Sequence, residues 1–589
     1  MKDGYYISAY LAIDLTSRIQ FKDLRHDQNF ALWKKSGQNI ELIEYYELER
    51  YTGYKHHRAG FSSIQEAKYL INSLLSQRGL SLEDVCEIFG MPVLQSGCEL
   101  FEEKEYSYHS LCHLYSTLLM DTEIFNNEKI LCFAVDGGPD FYLERKSENK
   151  HYYCGCYSDC SSVTLFPSSS PAVMWYIFSY LFNSEEGSLM ALGSANTSKL
   201  KTPPDPVIHN YINHDDKNTI EYVAKAQKRI YDILNNKSPE KITNMDNRFT
   251  QIENAMSMTM KKVQEMSLTI MRENIQNAIY RFKIDPNNTY LAMSGGFALN
   301  CPANSTLVRE FGFKGFICTP CPNDSGQSLG IGLYAFYKRM DNFKFHLAHA
   351  YYGYADNRNV ESVINKEFTP YIASVTAFTP EQAAEDICTS PIVWFNSCAE
   401  IGPRALGNRS ILGDPRSEQT KEILNNIKQR QWWRPVAPVV LEENLHDWFE
   451  DAWISPFMLN TFLIRKEKIN DIPAVAHMDR SARVQTLKQS DNPVLYSMIK
   501  AFKKRTGIPI LCNTSLNDKG EPIINTIEEA LNFALRKQIK VIYINLNRIT
   551  LQKFSEYKET KPKKRAYIQL FSLMPKAKEF DKSEHNLCL

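Results

Sequence analysis

Apolar runs at 10–13, 130–135, 290–293 and 315–318 have the length and composition of buried strands, and each runs into a polar or glycine turn. Segments between them carry helical spacing. From 252 to 270, apolar residues recur at Ile252, Met256, Val263, Met266 and Ile270, which predicts one buried helix face with its methionines as core filler. Strand runs alternating with helical ones predict an α/β fold, with ligand contacts in the turns at strand ends. Residues 200–217, with Pro203, Pro204 and Pro206, read as a surface excursion. Tyr351, Gly353 and Asp356 lie in a stretch that marks a boundary, which divides the chain into a unit over 1–352, a second α/β unit over 353–550 and a tail over 551–589. In the second unit, 392–395 and 508–512 read as strands. No internal repeat is visible in the residue pattern.

A chain of 589 residues exceeds what one core fills, which agrees with two units. Lys+Arg and Asp+Glu both number 68, so the net charge excludes a polyanion-coating role, and no nucleic-acid partner is expected. The densest basic patch, Lys561, Lys563, Lys564 and Arg565, reads as a solvated terminus. The 14 cysteines have no disulfide-framework spacing, so reduced thiols in the cytoplasm are expected. Cys318 and Cys321 form a CxxC without a second pair, and zinc is not expected there. The N-terminus carries no signal-peptide pattern, and the longest apolar run, near 172–182, is too short to span a bilayer. No membrane partner is expected.

Candidate chemistry concentrates in two places. Between 400 and 416, Arg404, Arg409 and Arg416 alternate with Gly402, Gly407 and Gly413 after the strand run 392–395. Arginine forks match phosphate and carboxylate, and neighbouring glycines let backbone N–H groups approach an anion. A surface loop with solvated charges is the alternative. In the first unit, His109 and His113 lie one helical turn apart, and Asp136 and Asp324 follow strand runs. Two imidazoles with two carboxylates form a mixed N/O set suited to Fe(II), Mn(II) or Zn(II). Gly137 and Gly138 follow Asp136, and Gly295 and Gly296 open a turn that reaches Asn300. Such turns permit close backbone approach to a nucleotide or phosphate; close strand–helix packing explains them equally well.

These motifs occur in order with His26-Asp27, Glu49-Arg50, Lys55-His56, Glu186-Gly187, Lys428 with Arg434-Pro435 and Pro438, His477 with Asp479 and Arg483, and Asn513 with Ser515 and Asn517. Together they resemble the O-carbamoyltransferase family of nodulation-type and antibiotic-tailoring enzymes. The resemblance implies an actin-like ATPase (Kae1-like) domain over 1–352 and a YrdC-like domain over 353–550. It implies that ATP and carbamoyl phosphate form carbamoyl-adenylate in the second domain, at Arg404, Lys428, Arg434, Arg483, Asn513 and Ser515. The first domain would then pass the carbamoyl group to a hydroxyl of a small-molecule acceptor, a natural product or a sugar. His26 would act there as base and Lys55 as the group that holds the donor. A metal, Fe(II) or another divalent transition metal, would sit on His109, His113, Asp136 and Asp324. Four positions depart from the family pattern: Ser397-Cys398 in place of Gly-Arg, Gln431 in place of glutamate, and Ser188 in place of lysine. A threonylcarbamoyl-type transferase acting on tRNA and a nucleotide-binding pseudoenzyme are the alternatives. A homodimer is the default assembly, and the acceptor is not encoded in these motifs.

Overall fold

A computed structural model describes residues 1–13, 25–94, 105–138, 150–200, 242–563 and 565, with isolated stretches between 221 and 235. Apart from residue 200, the excursion read over 200–217 lies outside the described residues, as does Lys564. The chain is mixed α/β. Strands β1 (Gly4–Tyr10), β2 (Asn29–Ser36) and β3 (Asn39–Glu47) form an antiparallel meander, and β4 (Val85–Phe89) joins β1 in parallel. The order is β3-β2-β1-β4. A second meander, β5 (Lys129–Ala134), β6 (Cys154–Asp159) and β7 (Ser162–Pro167), follows. After the short pair β8 (Lys199–Leu200) and β9 (Ile242–Asn244), strands β10 (Thr289–Ser294) and β11 (Gly315–Ile317) extend that sheet in parallel, in the order β11-β10-β5-β6-β7.

The two sheets share one topology: a three-strand meander whose first strand takes a parallel crossover neighbour. The repeat is therefore present in strand order although no residue pattern announces it. Sheet pairing depends on which faces are buried, and many side chains satisfy the same burial. The run read as a strand at 10–13 is corrected by the structure. Strand β1 ends at Tyr10, paired with Asn29, and Ile13 makes only an isolated bridge to Phe61. Residues 4–10 escaped notice because both faces of β1 are buried, Tyr6 and Tyr10 on one side and Ile7 and Ala9 on the other, so no alternation shows.

The helix expected over 252–270 runs from Gln251 to Phe282, opened by a Thr250/Glu253 capping box. Val263, Met266 and Ile270 are buried as expected, but Ile252 is half exposed: in the first turn the buried face carries Asn254 and Ala255 instead. Among the described residues, no helix is long and apolar enough to cross a membrane.

The C-terminal sheet has ten strands: β12 (Ile372–Ala377), β13 (Ile392–Phe395), β14 (Arg409–Gly413), β15 (Ala437–Leu441), β16 (Phe449–Glu450), β17 (Asn460–Ile464), β18 (Ser481–Leu487), β19 (Ile510–Ser515), β20 (Val541–Ile544) and β21 (Asn547–Leu551). Their order is β12-β21-β20-β13-β14-β19-β15-β18-β17-β16. Strand β19 starts later than the run at 508–512 and carries Asn513 and Ser515 within it. The two halves share an interior. Leu406, Ala437, Phe457, Met458 and Leu459 pack into the core that holds Phe297, Ala303 and Leu307. Asn304 Nδ2 donates to the Leu459 carbonyl at 2.9 Å, and the Thr461 N–H donates to Ser305 Oγ at 2.8 Å.

The basic tail is not uniformly solvated. Lys563 pairs with Glu367 at 2.5 Å, and the Arg565 side chain is only 7% exposed.

Candidate functional site

Helix Tyr108–Leu118 is buried along its whole length, and Ser107 caps it by accepting from the Ser110 N–H. It lies hard against helix Gln327–Arg339: a Cβ on Gly330 would stand 1.9 Å from the Cys112 carbonyl oxygen, so only glycine allows the approach. That contact brings His109 and His113 beside Asp324, in the turn before the second helix. Asp136, just past β5, completes the group. His113 Nε2 lies 3.2 Å from Asp324 Oδ1 and 3.9 Å from Asp136 Oδ2; His109 Nε2 lies 3.5 Å and 3.4 Å from the same oxygens. Each carboxylate is held by its other oxygen, Asp136 Oδ1 by the Gly296 N–H at 2.8 Å and Asp324 Oδ2 by the Tyr10 hydroxyl at 3.1 Å. The four ligand atoms lie within 4.8 Å of one another, and the donor set suits a divalent transition metal. Burial opposes ionisation of Asp324, but the facing imidazoles of His26 and His109 hold it well below the usual carboxylate range.

His26 stands at the rim of this group with its side chain half exposed, its Nε2 3.5 Å from Asp324 Oδ2. Asp27 bridges two imidazoles, His26 Nδ1 and His56 Nδ1, each at 2.9 Å. Asp27 and His56 both adopt left-handed backbone, with φ of 52° and 63°, the kind of local strain that clusters at working sites. Asn29 Nδ2 ties the loops together by donating to the Asp27 carbonyl at 2.6 Å and the Asp324 carbonyl at 2.9 Å. Burial works against a charge on His26, yet Asp324 and Asp27 push it up to about 9. The expectation of an imidazole near neutrality thus changes: beside these carboxylates the ring is more basic than an ordinary imidazole. Lys55 follows on the same turn as His56 and reaches Glu185, Nζ to Oε1 3.4 Å.

The second group lies on neighbouring strands at the middle of the ten-stranded sheet. Arg404 precedes β14, Arg483 is on β18, Asn513 and Ser515 are on β19, and Lys428, Arg430 and Arg434 lie between helix Glu418–Ile427 and β15. Burial, then Arg404, pushes Arg483 down to about 9; burial, then Arg434, pushes Arg430 down to about 9. Such crowded, buried guanidiniums stay charged at neutral pH and repel one another. Arg404 Nε, Arg483 Nε and Asn513 Oδ1 are buried without a hydrogen-bond partner among the described residues. The unmet donors and the excess positive charge are what an anionic nucleotide or phosphate would satisfy. Lys428 is committed differently: its Nζ donates to the Ser515 carbonyl at 2.8 Å, to Ser515 Oγ at 3.2 Å and to Asn517, and burial holds it well below the ordinary lysine range.

Glu185 joins the two groups. Lys55 draws its carboxyl below the usual range, burial opposes, and Arg434 adds to the effect. The segment 400–416 divides its labour. Arg404 faces the cationic basin. Arg409 is fully buried, donates to the carbonyls of Asn396, Ser397, Tyr354 and Asn408, and stacks 3.7 Å from the Phe395 ring centroid. Arg416 pairs with Asp414 at the surface. Glu400 Oε1 accepts from the N–H groups of Leu406, Asn408 and Arg409. Glu400→Ala should therefore lower stability by about 3 kcal/mol, read from the midpoint of denaturant unfolding, because three buried donors lose their acceptor.

Family models match within these two halves: the carbamoyltransferase N-terminus over residues 98–333 and the carbamoyltransferase C-terminus over 384–553. The chain belongs to the carbamoyltransferase family. It is 29% identical to nodulation protein NolNO of Sinorhizobium fredii over 84% of this chain and 69% of that protein. Over 41% of this chain it is 34% identical to a 3'-hydroxymethylcephem-O-carbamoyltransferase of Amycolatopsis lactamdurans and 35% identical to nodulation protein NolO of Bradyrhizobium diazoefficiens, covering 45% and 46% of them. The match thus spans about half the length of these last two relatives.

Within this family member, two of the glycine-turn residues have structural tasks. Gly295, at φ +92°, lets β10 pass Val135, where a Cβ would stand 2.5 Å from the carbonyl. Asn300 caps helix Cys301–Phe311 through the Ala303 N–H and pairs with Gln264. Gly137 and Gly138 border open space. Of the departures, Ser188 has a visible consequence: its hydroxyl receives the Arg434 guanidinium across the junction. The Cys398 carbonyl accepts from Asn408 Nδ2, and Gln431 is exposed. Sequence reasoning missed Arg430, Glu185 and the bridging part of Asp27 and His56. The adjacent Lys428-x-Arg430 and His26-Asp27 patterns were the available signals.

Proposed function

We propose that the protein is an O-carbamoyltransferase that activates carbamoyl phosphate with ATP at the Arg404/Arg434/Arg483 basin and transfers the carbamoyl group at the His26/Lys55 turn. The observation that carries this reading is the electrostatic continuity of the two groups. Lys55 Nζ lies 3.4 Å from Glu185 Oε1 and Arg434 draws down the same carboxyl, so one acidic side chain ties a cation of the transfer site to a cation of the basin. The repeated meander-plus-crossover topology supports an actin-like, Kae1-like assignment over 1–352, and the sheet that carries the basin supports a YrdC-like assignment over 353–550.

Hydrolysis of carbamoyl phosphate would release inorganic phosphate and carbamate; a carbamate oxygen would then attack the ATP α-phosphate with loss of pyrophosphate, and the acceptor hydroxyl would displace AMP from the resulting carbamoyl-adenylate. Arg404, Arg434 and Arg483 would neutralise the triphosphate and the charge that develops as pyrophosphate departs. Asn513 Oδ1, fixed because Asn513 Nδ2 donates to Gln485 Oε1 and to the Ala405 carbonyl, would accept from the carbamoyl NH2. In the transfer site, Lys55 would hold the donor phosphate. His26, oriented by Asp27, would take the proton of the acceptor hydroxyl through Nε2. His109, His113, Asp136 and Asp324 would hold a divalent transition metal, Fe(II) being the candidate, which supplies Lewis-acid charge beside His26 when bound. The acceptor is a small molecule that bears a hydroxyl, as the names of the cephem-modifying relatives suggest.

Incubation with ATP and carbamoyl phosphate alone should release pyrophosphate and yield carbamoyl-adenylate detectable by mass spectrometry. Absence of both, in protein that binds nucleotide, would overturn the reading in favour of a non-catalytic nucleotide binder. His26→Ala should still form the adenylate and lose transfer to acceptor by about 10²-fold or more. Undiminished transfer would remove His26 from the chemistry.

A further inference from the structure

The C-terminal family match ends at residue 553, yet the chain beyond it returns to the junction of the two halves. There the Arg565 guanidinium is buried between them. Its Nη1 donates to the carbonyls of Glu49 and Arg50 at 3.1 and 2.8 Å, and its Nη2 to those of Pro522 and Ile523 at 3.3 and 3.1 Å. Its Nε meets Glu529 Oε1 at 2.5 Å. Glu529 is held in place for this by its other oxygen, which accepts from the N–H groups of Asn525 and Thr526 as the cap of helix Ile527–Arg536. Lys563, two residues earlier, pairs with Glu367 and ties the approach of the tail to the C-terminal half.

On the N-terminal side, the acceptors belong to helix Leu48–Thr52, whose terminal carbonyls carry partial negative charge. The helix ends at Gly53, φ +80°, where a Cβ would stand 3.5 Å from Arg565 Cδ. Lys55 and His56 are the next polar residues but one. The His56 N–H donates to Glu49 Oε2 at 2.8 Å, so the carbonyl clasped by Arg565 and the carboxylate that orients His56 belong to the same residue. One planar fork therefore fastens the base of the Lys55–His56 turn to the C-terminal half. An ammonium group at the end of a lysine would keep the ion pair with Glu529 but could not span both sets of carbonyls.

We propose that Arg565 is a positioning residue that sets the Lys55–His56 turn against the C-terminal half. The docking stands on these contacts; only its effect on turnover rests on the carbamoyl-transfer reading. The test uses full-length Arg565→Ala and Arg565→Lys proteins with two readouts. Hydrogen exchange should become faster in peptides covering 48–57 and 520–529 in the alanine variant, and less so in the lysine variant. Adenylate formation should stay within about twofold of the parent, while kcat for transfer falls about tenfold with the KM for carbamoyl phosphate unchanged. Unchanged exchange over 48–57 would overturn the proposal. So would an equal fall of both half-reactions, which marks Arg565 as a general stabiliser. Should the parent prove to have no carbamoyl-transfer activity, the exchange measurement still decides the docking, which separates failure of this proposal from failure of the functional one.

Discussion

His113→Ala should purify with almost no bound transition metal, while the parent protein carries close to one equivalent, and its carbamoyl transfer should fall by about 10²-fold or more. The expectation rests on geometry. His113 is 1% exposed and makes the shortest approach in the group, 3.2 Å to Asp324 Oδ1. Its loss leaves three ligands, two of them carboxylates already spending an oxygen on Gly296 and Tyr10. Adenylate formation should be unaffected, since none of the four residues lies in the cationic basin. Elemental analysis of the two proteins decides the matter: equal metal in both would remove the site, whatever happened to activity. A variant that lost metal yet kept full transfer would leave the ion a structural task only.

Arg483→Gln should abolish adenylate formation, by about 10²-fold or more, and at the same time raise the melting temperature of the ligand-free protein by roughly 2–4 °C. The two effects have one cause. Burial, then the neighbouring Arg404 and Arg434, pushes Arg483 down to about 9. A base with a lowered folded-state pKa binds fewer protons folded than unfolded between that value and its ordinary one. Its contribution to stability therefore rises with pH from about 9 upward, and the destabilisation is fully present at neutral pH. Glutamine removes the repulsion along with the function. Pyrophosphate should stabilise the parent more than the variant, because an anion relieves the same repulsion. A variant that melts lower than the parent and gains as much from pyrophosphate would show that Arg483 is a structural cation rather than a donor-site one. The pattern belongs to active sites, where stability is given up for charge arranged in advance of its ligand.

Individual elements show how far the residue pattern carries. Strands at 130–135, 290–293, 315–318 and 392–395 were readable because compact apolar runs between turn residues have few other fates. The histidine helix was readable from a four-residue spacing, and its convergence with two aspartates from their place after strand runs. Strand β1 was not readable, since burial on both faces erased its alternation. The fate of the three arginines in 400–416 was also closed to inspection: the same residue type faces a basin, supports a loop and sits on the surface within 13 positions. Arg565 looked like the end of a charged tail because a guanidinium and its carbonyl partners more than five hundred residues earlier share no local signature.

By itself, the sequence determined the chemical inventory: which donors, acids and cations exist, and the family in which that order of motifs occurs. Those facts follow from residue identity and spacing along the chain. Tertiary structure alone decided which charges stand unpaired, that Asp324 and Asp27 make the His26 imidazole more basic, that Glu185 links Lys55 to Arg434, and that one sheet topology occurs twice. Each depends on distances between residues remote in sequence. Electrostatic coupling falls off over a few ångströms and rises with burial, and neither quantity exists until the chain has packed.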